Sequence, residues 1–231
     1  MPAVPDPHAL SDLDLFRGLS SADLTRLNNA SGRTRFPAGA TILTTTQPGE
    51  VVYVVLEGTL KVSVVQANGQ ELAFALLGPG EVVGELALAD RGGRSADVMA
   101  LESSTLLWLD RTSFGQLRRE IPALTENLLA LLARRLRLAN GQLQAMATLD
   151  VHGRVARQLL ALAEAHGEAL PGGDLRIPLR LTQGDLANLV GATRVRVNEV
   201  LVGFKRHRYL SVDARYRITL HDRAALATYC E

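Results

Sequence analysis

The chain has almost no cysteine. Its single one, Cys230, cannot form an internal disulfide or by itself supply a multi-cysteine zinc site or an iron–sulfur cluster. It has almost no net charge: 25 basic and 24 acidic residues leave +1, which excludes a polybasic nucleic-acid coat. No apolar run approaches the roughly 18 residues of a membrane helix. The first ten residues, MPAVPDPHAL, lack the basic start and apolar stretch of a secretory signal, so a cytoplasmic protein is expected. Also missing are paired carboxylates, a Ser/His/Asp set at suggestive spacing and a His-rich metal motif, so no enzyme is expected. There is no internal repeat and no low-complexity tract.

What is present is ordinary globular chemistry. Of 231 residues, 47% are apolar and 21% charged, enough for one or two domains with a real core. The charge is uneven. Residues 151–231 carry 12 basic and 8 acidic side chains, and residues 1–150 carry 13 and 16. A basic C-terminal part behind an acidic N-terminal one fits a polyanion-binding module, although such an excess also arises by chance.

Three blocks follow one another. Residues 1–10 are proline-rich and read as loose. Ser20, with Asp23 three residues on, reads as the start of a capped helix. From about Arg33 to Leu109, short β-branched runs alternate with turns, and Asn68-Gly69 is a hairpin signal. This pattern predicts a small β-barrel or roll. Thr112 to Leu149 reads as helical, with Pro122 in a first turn. Leu129, Leu132, Leu136, Ala139, Leu143 and Met146 form one stripe there, beside a second of Leu124, Leu128, Leu131 and Leu138. One stripe suits the β-domain and the other a second copy of the chain, unless both are one wide face of a monomer. The third block holds a helix from Asp150 to Gly167, the loop EALPGGD, the strand candidate LRIPLRL, two helices around a tight turn, a hairpin and a last helix capped by Asp222.

The pair of helices fits a helix-turn-helix. Ala187 is small where the helices cross, and Gly191 suits a turn needing positive φ. Leu186, Val190, Ala192, Val197 and Val200 lock the inside, and Thr182 with Asp185 caps the first helix. A plain helical hairpin is the other reading. The second helix begins near Thr193 and presents Arg194, Val195, Arg196, Asn198 and Glu199. Arg194 is expected to read guanine in the major groove, with Arg196 second to it, unless both are solvated surface charges. Thr182, Thr193, Lys205, Arg206 and Arg208 are expected on phosphates.

Residues 80–100, GEVVGELALADRGGRSADVMA, hold the other constellation. Gly84 and the amides after it suit close approach to a phosphate, Arg94 offers a guanidinium and Ser95 a hydroxyl. Glu85 suits a ribose hydroxyl, but a Glu85–Arg94 salt bridge explains the pair equally well. Gly84-Glu85-Leu86-Ala87 followed by Arg94-Ser95-Ala96 resembles the phosphate-binding cassette of cyclic-nucleotide-binding domains. With FRGLS, FPAGATI, VVYVVLEGTLKV, LLARRLRLAN, LDVHGRVARQLLALA and LTQGDLANLVGATR in that order, the chain from about Phe16 onward resembles the cyclic-AMP receptor protein/fumarate-nitrate reductase regulator (CRP/FNR) superfamily of bacterial transcription factors.

That resemblance implies an α+β homodimer of three parts: a cyclic-nucleotide-binding β-roll over 1–111, a dimerisation helix region over 112–149 and a winged helix-turn-helix over 150–231. It implies that Glu85 meets the ribose 2′-OH, and that Arg94, Ser95 and the amides near Leu86 and Ala87 hold the phosphate of cyclic AMP. It places Ala139 and Asn140 at the base, where Ala139 lacks the hydrogen-bonding group usual in cyclic-AMP-responsive members. It implies palindromic double-stranded DNA as partner and RNA polymerase as a contact of the loop Glu168 to Asp174. Val195 and Glu199 depart from the pattern of members that read TGTGA, so a different half-site is expected, with Val195 on a thymine methyl and Glu199 on cytosine N4. A single cysteine excludes the family's iron–sulfur sensors, and five histidines outside the β-roll strands argue against haem. A regulator of another small effector, or one that binds DNA constitutively, is the alternative.

Overall fold

The computed structural model describes residues 10–67, 71–90 and 93–230. It divides into two compact units: the chain up to Val62 with Leu76–Arg137, and Ser63–Ala75 with Leu138–Glu231. Residues 1–9 and the Asn68-Gly69 turn lie outside the described residues. Leu10, read from sequence as part of a loose start, is instead buried in the core.

The first unit opens with a 3-10 turn, Asp14–Phe16, and α1, Ser21–Ala30. Ser20 caps α1 by accepting from the Asp23 amide at 3.1 Å. Strands β1 (Gly32–Phe36), β2 (Thr41–Leu43), β3 (Val51–Glu57), β4 (Leu60–Val65), β5 (Glu71–Leu77) and β6 (Val82–Val83) follow, of which the end of β4 from Ser63 and the start of β5 up to Ala75 are grouped with the second unit. After α2 (Glu85–Asp90) come β7 (Asp97–Ala100) and β8 (Ser104–Asp110). They make two four-stranded sheets, ordered β1-β8-β3-β6 and β2-β7-β4-β5. Val52 pairs with Leu109 and Val54 with Leu107 in antiparallel register, and all four are buried. Period-two burial of this kind is why the β-branched runs become strands.

The helical block is two helices. α3, Arg111–Glu120, stops before Pro122, which is the first residue of α4, Pro122–Thr148. Proline is tolerated there because a first-turn amide has no helical partner to lose. The two apolar stripes of α4 part ways. Leu124, Leu128 and Leu131 join the core with Leu15, Phe16, Phe114 and Leu117. Leu129, Leu136 and Leu143 remain 68%, 63% and 66% exposed. Leu138, grouped by spacing with the inner stripe, is exposed too.

The second unit contains α5 (Val151–His166), β9 (Glu168–Ala169), β10 (Leu175–Ile177), α6 (Gln183–Val190), α7 (Arg194–Arg206), β11 (Leu210–Val212), β12 (Ile218–Leu220) and α8 (Arg223–Ala227). Its sheet runs β11-β12-β10-β9, so the segment read as a plain loop begins with a short strand. Asp150 caps α5 and Asp222 caps α8. Leu186, Val190, Val197 and Val200 form the buried seam between α6 and α7. Gly191 ends α6 at φ 60°, where a side chain is strained.

Asp110 joins β8 to α3. Its carboxylate accepts from the Ser113 amide at 2.9 Å and the Ser113 hydroxyl at 2.7 Å. These bonds hold its pKa below the ordinary 3.8. Asp110→Ala is expected to cost about 1 kcal/mol in urea unfolding at neutral pH. Because the folded pKa is depressed, this contribution is complete above the ordinary aspartate value and is lost as pH falls below it. The wild-type and variant curves should therefore converge in acid.

Candidate functional site

The cassette lies between β6 and β7. Gly84, at φ 83°, turns the chain from β6 into α2, and a side chain there would run into the Arg94 guanidinium and the Val51 carbonyl. Glu85 begins α2 and is 3% exposed. Arg94 is 8% exposed and donates to the carbonyls of Gly84 at 3.1 Å and Val51 at 2.8 Å. Burial pushes its pKa down, and its buried Nε has no partner among the described residues. Burial likewise raises the pKa of Tyr53, which Arg94 partly offsets. Ala87 is buried, and Leu86 and Ser95 are exposed. Arg111 Nη2 ties the Ala87 carbonyl, at 2.9 Å, to that of Gly49 at 2.6 Å.

Glu85 does not pair with Arg94. Its partner is Arg135 on α4, whose Nη1 donates to Glu85 Oε1 at 2.7 Å. Arg135 Nη2 also donates to Glu81 Oε2 at 2.9 Å and to the Val82 carbonyl at 2.5 Å. Arg134 donates to Glu81 Oε1 at 2.7 Å. Glu81, Arg134 and Arg135 were not foreseen. The signal was an Arg-Arg pair where the inner apolar stripe of α4 leaves off. Ala139 and Asn140 follow Arg135 by about one helical turn and are exposed.

In the second unit, Arg194, Val195, Arg196, Asn198 and Glu199 are all exposed on α7, Val195 at 68%. Arg196 and Glu199 are engaged with each other at 3.0 Å, rather than both standing free for bases. Thr193 caps α7, accepting from the Arg196 amide at 3.3 Å. Thr182 forms a full capping box: its Oγ1 accepts from the Asp185 amide at 3.2 Å and the Asp185 carboxylate accepts from the Thr182 amide at 3.0 Å, while the Thr182 hydroxyl also donates to Asp185 Oδ2 at 2.5 Å. The one hydroxyl hydrogen of Thr182 is thus engaged within α6. Lys205, Arg206 and Arg208 are exposed at the end of α7.

Residues 33–120 match the cyclic nucleotide-binding domain family, and residues 153–229 match the Crp-like helix-turn-helix domain family. The chain belongs to the CRP/FNR superfamily of transcriptional regulators. It is 32% identical over 218 residues to the CRP-like cAMP-activated global transcriptional regulator of Mycobacterium tuberculosis, covering 94% of this chain and 96% of that one. It is 35% identical over 187 residues to the cyclic AMP receptor protein of Thermus thermophilus, covering 81% and 83%. The structure of FixK2 from Bradyrhizobium japonicum superposes with a TM-score of 0.75 at 20% identity, over 87% of this chain and 98% of that one, and so shares the fold. Like its relatives in this superfamily, the protein is a regulator and not an enzyme. No helix among the described residues is long and apolar enough to cross a membrane.

The residues of the CRP/FNR cassette fit a cyclic nucleotide. A buried guanidinium without a carboxylate in ion-pair range among the described residues, a buried Nε lacking a partner and a glycine cradle beside both suit a singly charged phosphate.

Removing Arg135 leaves Glu85 a buried carboxylate without its ion-pair partner, while Glu81 keeps Arg134. Arg135→Met is expected to lower stability by on the order of 3 kcal/mol in urea unfolding. Adding Glu85→Gln to that variant should recover much of the loss.

Proposed function

We propose that this CRP/FNR-type regulator is a cytoplasmic homodimer that binds cyclic AMP in the first unit and thereby controls its affinity for palindromic DNA. The single observation that carries the ligand is Arg94, a buried cation whose hydrogen bonds go to two carbonyls rather than to a carboxylate. Burying such a charge is costly, and a phosphate offsets that cost. In this reading Gly84 gives close approach, Arg94, Ser95 and the Leu86 and Ala87 amides hold the phosphate, and Glu85 takes the ribose hydroxyl. Asn140 serves the base beside Ala139. The names of the relatives from Mycobacterium tuberculosis and Thermus thermophilus support cyclic AMP over other effectors.

The exposed heptad stripe of α4 supports the dimer. Leu129, Leu132, Leu136, Ala139, Leu143 and Met146 recur at alternating steps of three and four, the pattern of a helix seam shared between two copies, and all but Leu132, which is half-buried against the core, are exposed. A ligand on Glu85 shares that carboxylate with Arg135, so occupancy biases how two α4 helices pair. The residues after Leu143 carry that bias towards the hinge at Asp150 to Gly153. Arg194 and its neighbours on α7 then read each half-site, and Thr193, Lys205 and Arg206 hold phosphates. The loop from Glu168 to Asp174 is the surface offered to RNA polymerase where the protein activates.

Calorimetric titration with cyclic AMP and cyclic GMP tests the ligand. Submillimolar binding of cyclic AMP, abolished in Arg94→Ala, is expected; binding of neither nucleotide sinks the cyclic-nucleotide reading and leaves DNA binding in place. The double variant Leu136→Glu, Leu143→Glu is expected to sediment as a monomer and to lose operator affinity. A dimer that survives it would overturn the α4 seam.

A further inference from the structure

Gln183 is the first residue of α6 and Asn198 the fifth of α7. Gln183 Nε2 donates to Asn198 Oδ1 at 2.7 Å across the exposed side of the helix pair. The apolar seam that holds the helices together lies elsewhere, in Leu186, Val190, Val197 and Val200. The capping box of Thr182 and Asp185 fixes the backbone from which Gln183 projects. Asn198 follows Arg194 by four residues and Val195 by three, so the three share one exposed flank of α7.

An exposed amide–amide bond contributes little to stability, because water competes for both partners. Its consequence is orientation. A free asparagine amide rotates and presents either end to a partner. With Oδ1 held by Gln183, Asn198 directs Nδ2 to the next partner as a donor, and Gln183 retains Oε1 as an acceptor beside it. One donor next to one acceptor is the complement of adenine in the major groove, whose edge offers N7 as acceptor and the N6 amino group as donor. On the opposite flank Arg196 and Glu199 are paired with each other, so the amide pair is the neutral polar reader of this surface.

We propose that Gln183 and Asn198 act together as one two-amide reader of an adenine in the half-site, so that a residue of α6 sets sequence preference alongside α7. The proposal rests on the DNA-binding reading of α7. Gln183 donates to Asn198 and accepts from adenine N6; Asn198 donates to adenine N7.

The test is enrichment of binding sites from randomised duplex DNA with the full-length protein, in cyclic AMP, in cyclic GMP and without nucleotide. It is run for wild type, Gln183→Ala, Asn198→Ala and the double variant, with thermal unfolding as the control for folding. Wild type is expected to prefer adenine at one half-site position. Each single variant should flatten that preference by about tenfold, and the double variant should flatten it little further. A Gln183→Ala variant that weakens every sequence equally marks a phosphate contact and overturns the proposal. So does one that leaves the base preference unchanged. A wild type that enriches no sequence under any condition overturns the DNA-binding reading itself, and this proposal with it.

Discussion

Two buried carboxylates and the arginines facing them constrain the first unit more than any other contact. Glu81 and Glu85 bracket β6 and are almost fully buried. Neither carboxylate is tolerable there without a cation, because desolvating a lone charge costs several kcal/mol. Arg135 bonds both carboxylates and the Val82 carbonyl between them, and Arg134 adds a second bond to Glu81. Three contacts within five residues leave α4 a single rotation about its own axis. That rotation sends Leu124, Leu128 and Leu131 into the core and leaves Leu129, Leu136 and Leu143 outside. Arg135 follows Leu131 by four residues and so continues the inner stripe, with a charge where an apolar side chain would have had no carboxylate to meet.

The same arginine gives the unit a means of response. Glu85 is both the acid assigned to the ribose and a partner of Arg135. In the proposed reading a ligand hydroxyl on Glu85 acts on the side chain that fixes the rotation of α4. A ligand moves such an equilibrium only by as much as it prefers one arrangement over the other. A carboxylate shared between ligand and helix supplies that difference. The charge-assisted bonds at stake are each worth about 1.5–3 kcal/mol, enough to move a population by an order of magnitude or more.

The parts of this architecture that follow from local rules were legible in the sequence. Helix starts at Ser20, Thr182 and Asp222 announced themselves because a cap is a contact between residues three apart. Gly191 and the strands β3 to β6 were readable for the same reason, since turn chemistry and alternation are local. The two stripes of α4 were separable by spacing, except at Leu132, which packs on the core, and at Leu138, where the inner face had already run past the core that covers it. The partner of Glu85 was not legible. Glu85 and Arg135 lie 50 residues apart, and only the packing of α4 brings them together. From sequence, Arg94 was the nearer cation, yet its guanidinium turns to the carbonyls of Gly84 and Val51. The engagement of Glu199 by Arg196 was within reach, since residues three apart on a helix are neighbours.

The cassette constrains the class of ligand more tightly than its base. In the proposed reading Arg94 takes the phosphate and Glu85 the ribose, and both are buried, where charge-assisted bonds are strongest. In that reading the base falls to Ala139 and Asn140, which are exposed on α4. Alanine removes one neutral hydrogen bond, worth about 0.5–1.5 kcal/mol where water is free to take its place. That is at most about a tenfold penalty on adenine, and the charged contacts outweigh it. A closed dimer seam changes the comparison: water excluded from Ala139 leaves a purine amino group unsatisfied, at about 1–3 kcal/mol. Selectivity for the base thus depends on how tightly two copies close over it, and affinity for the cyclic phosphate does not.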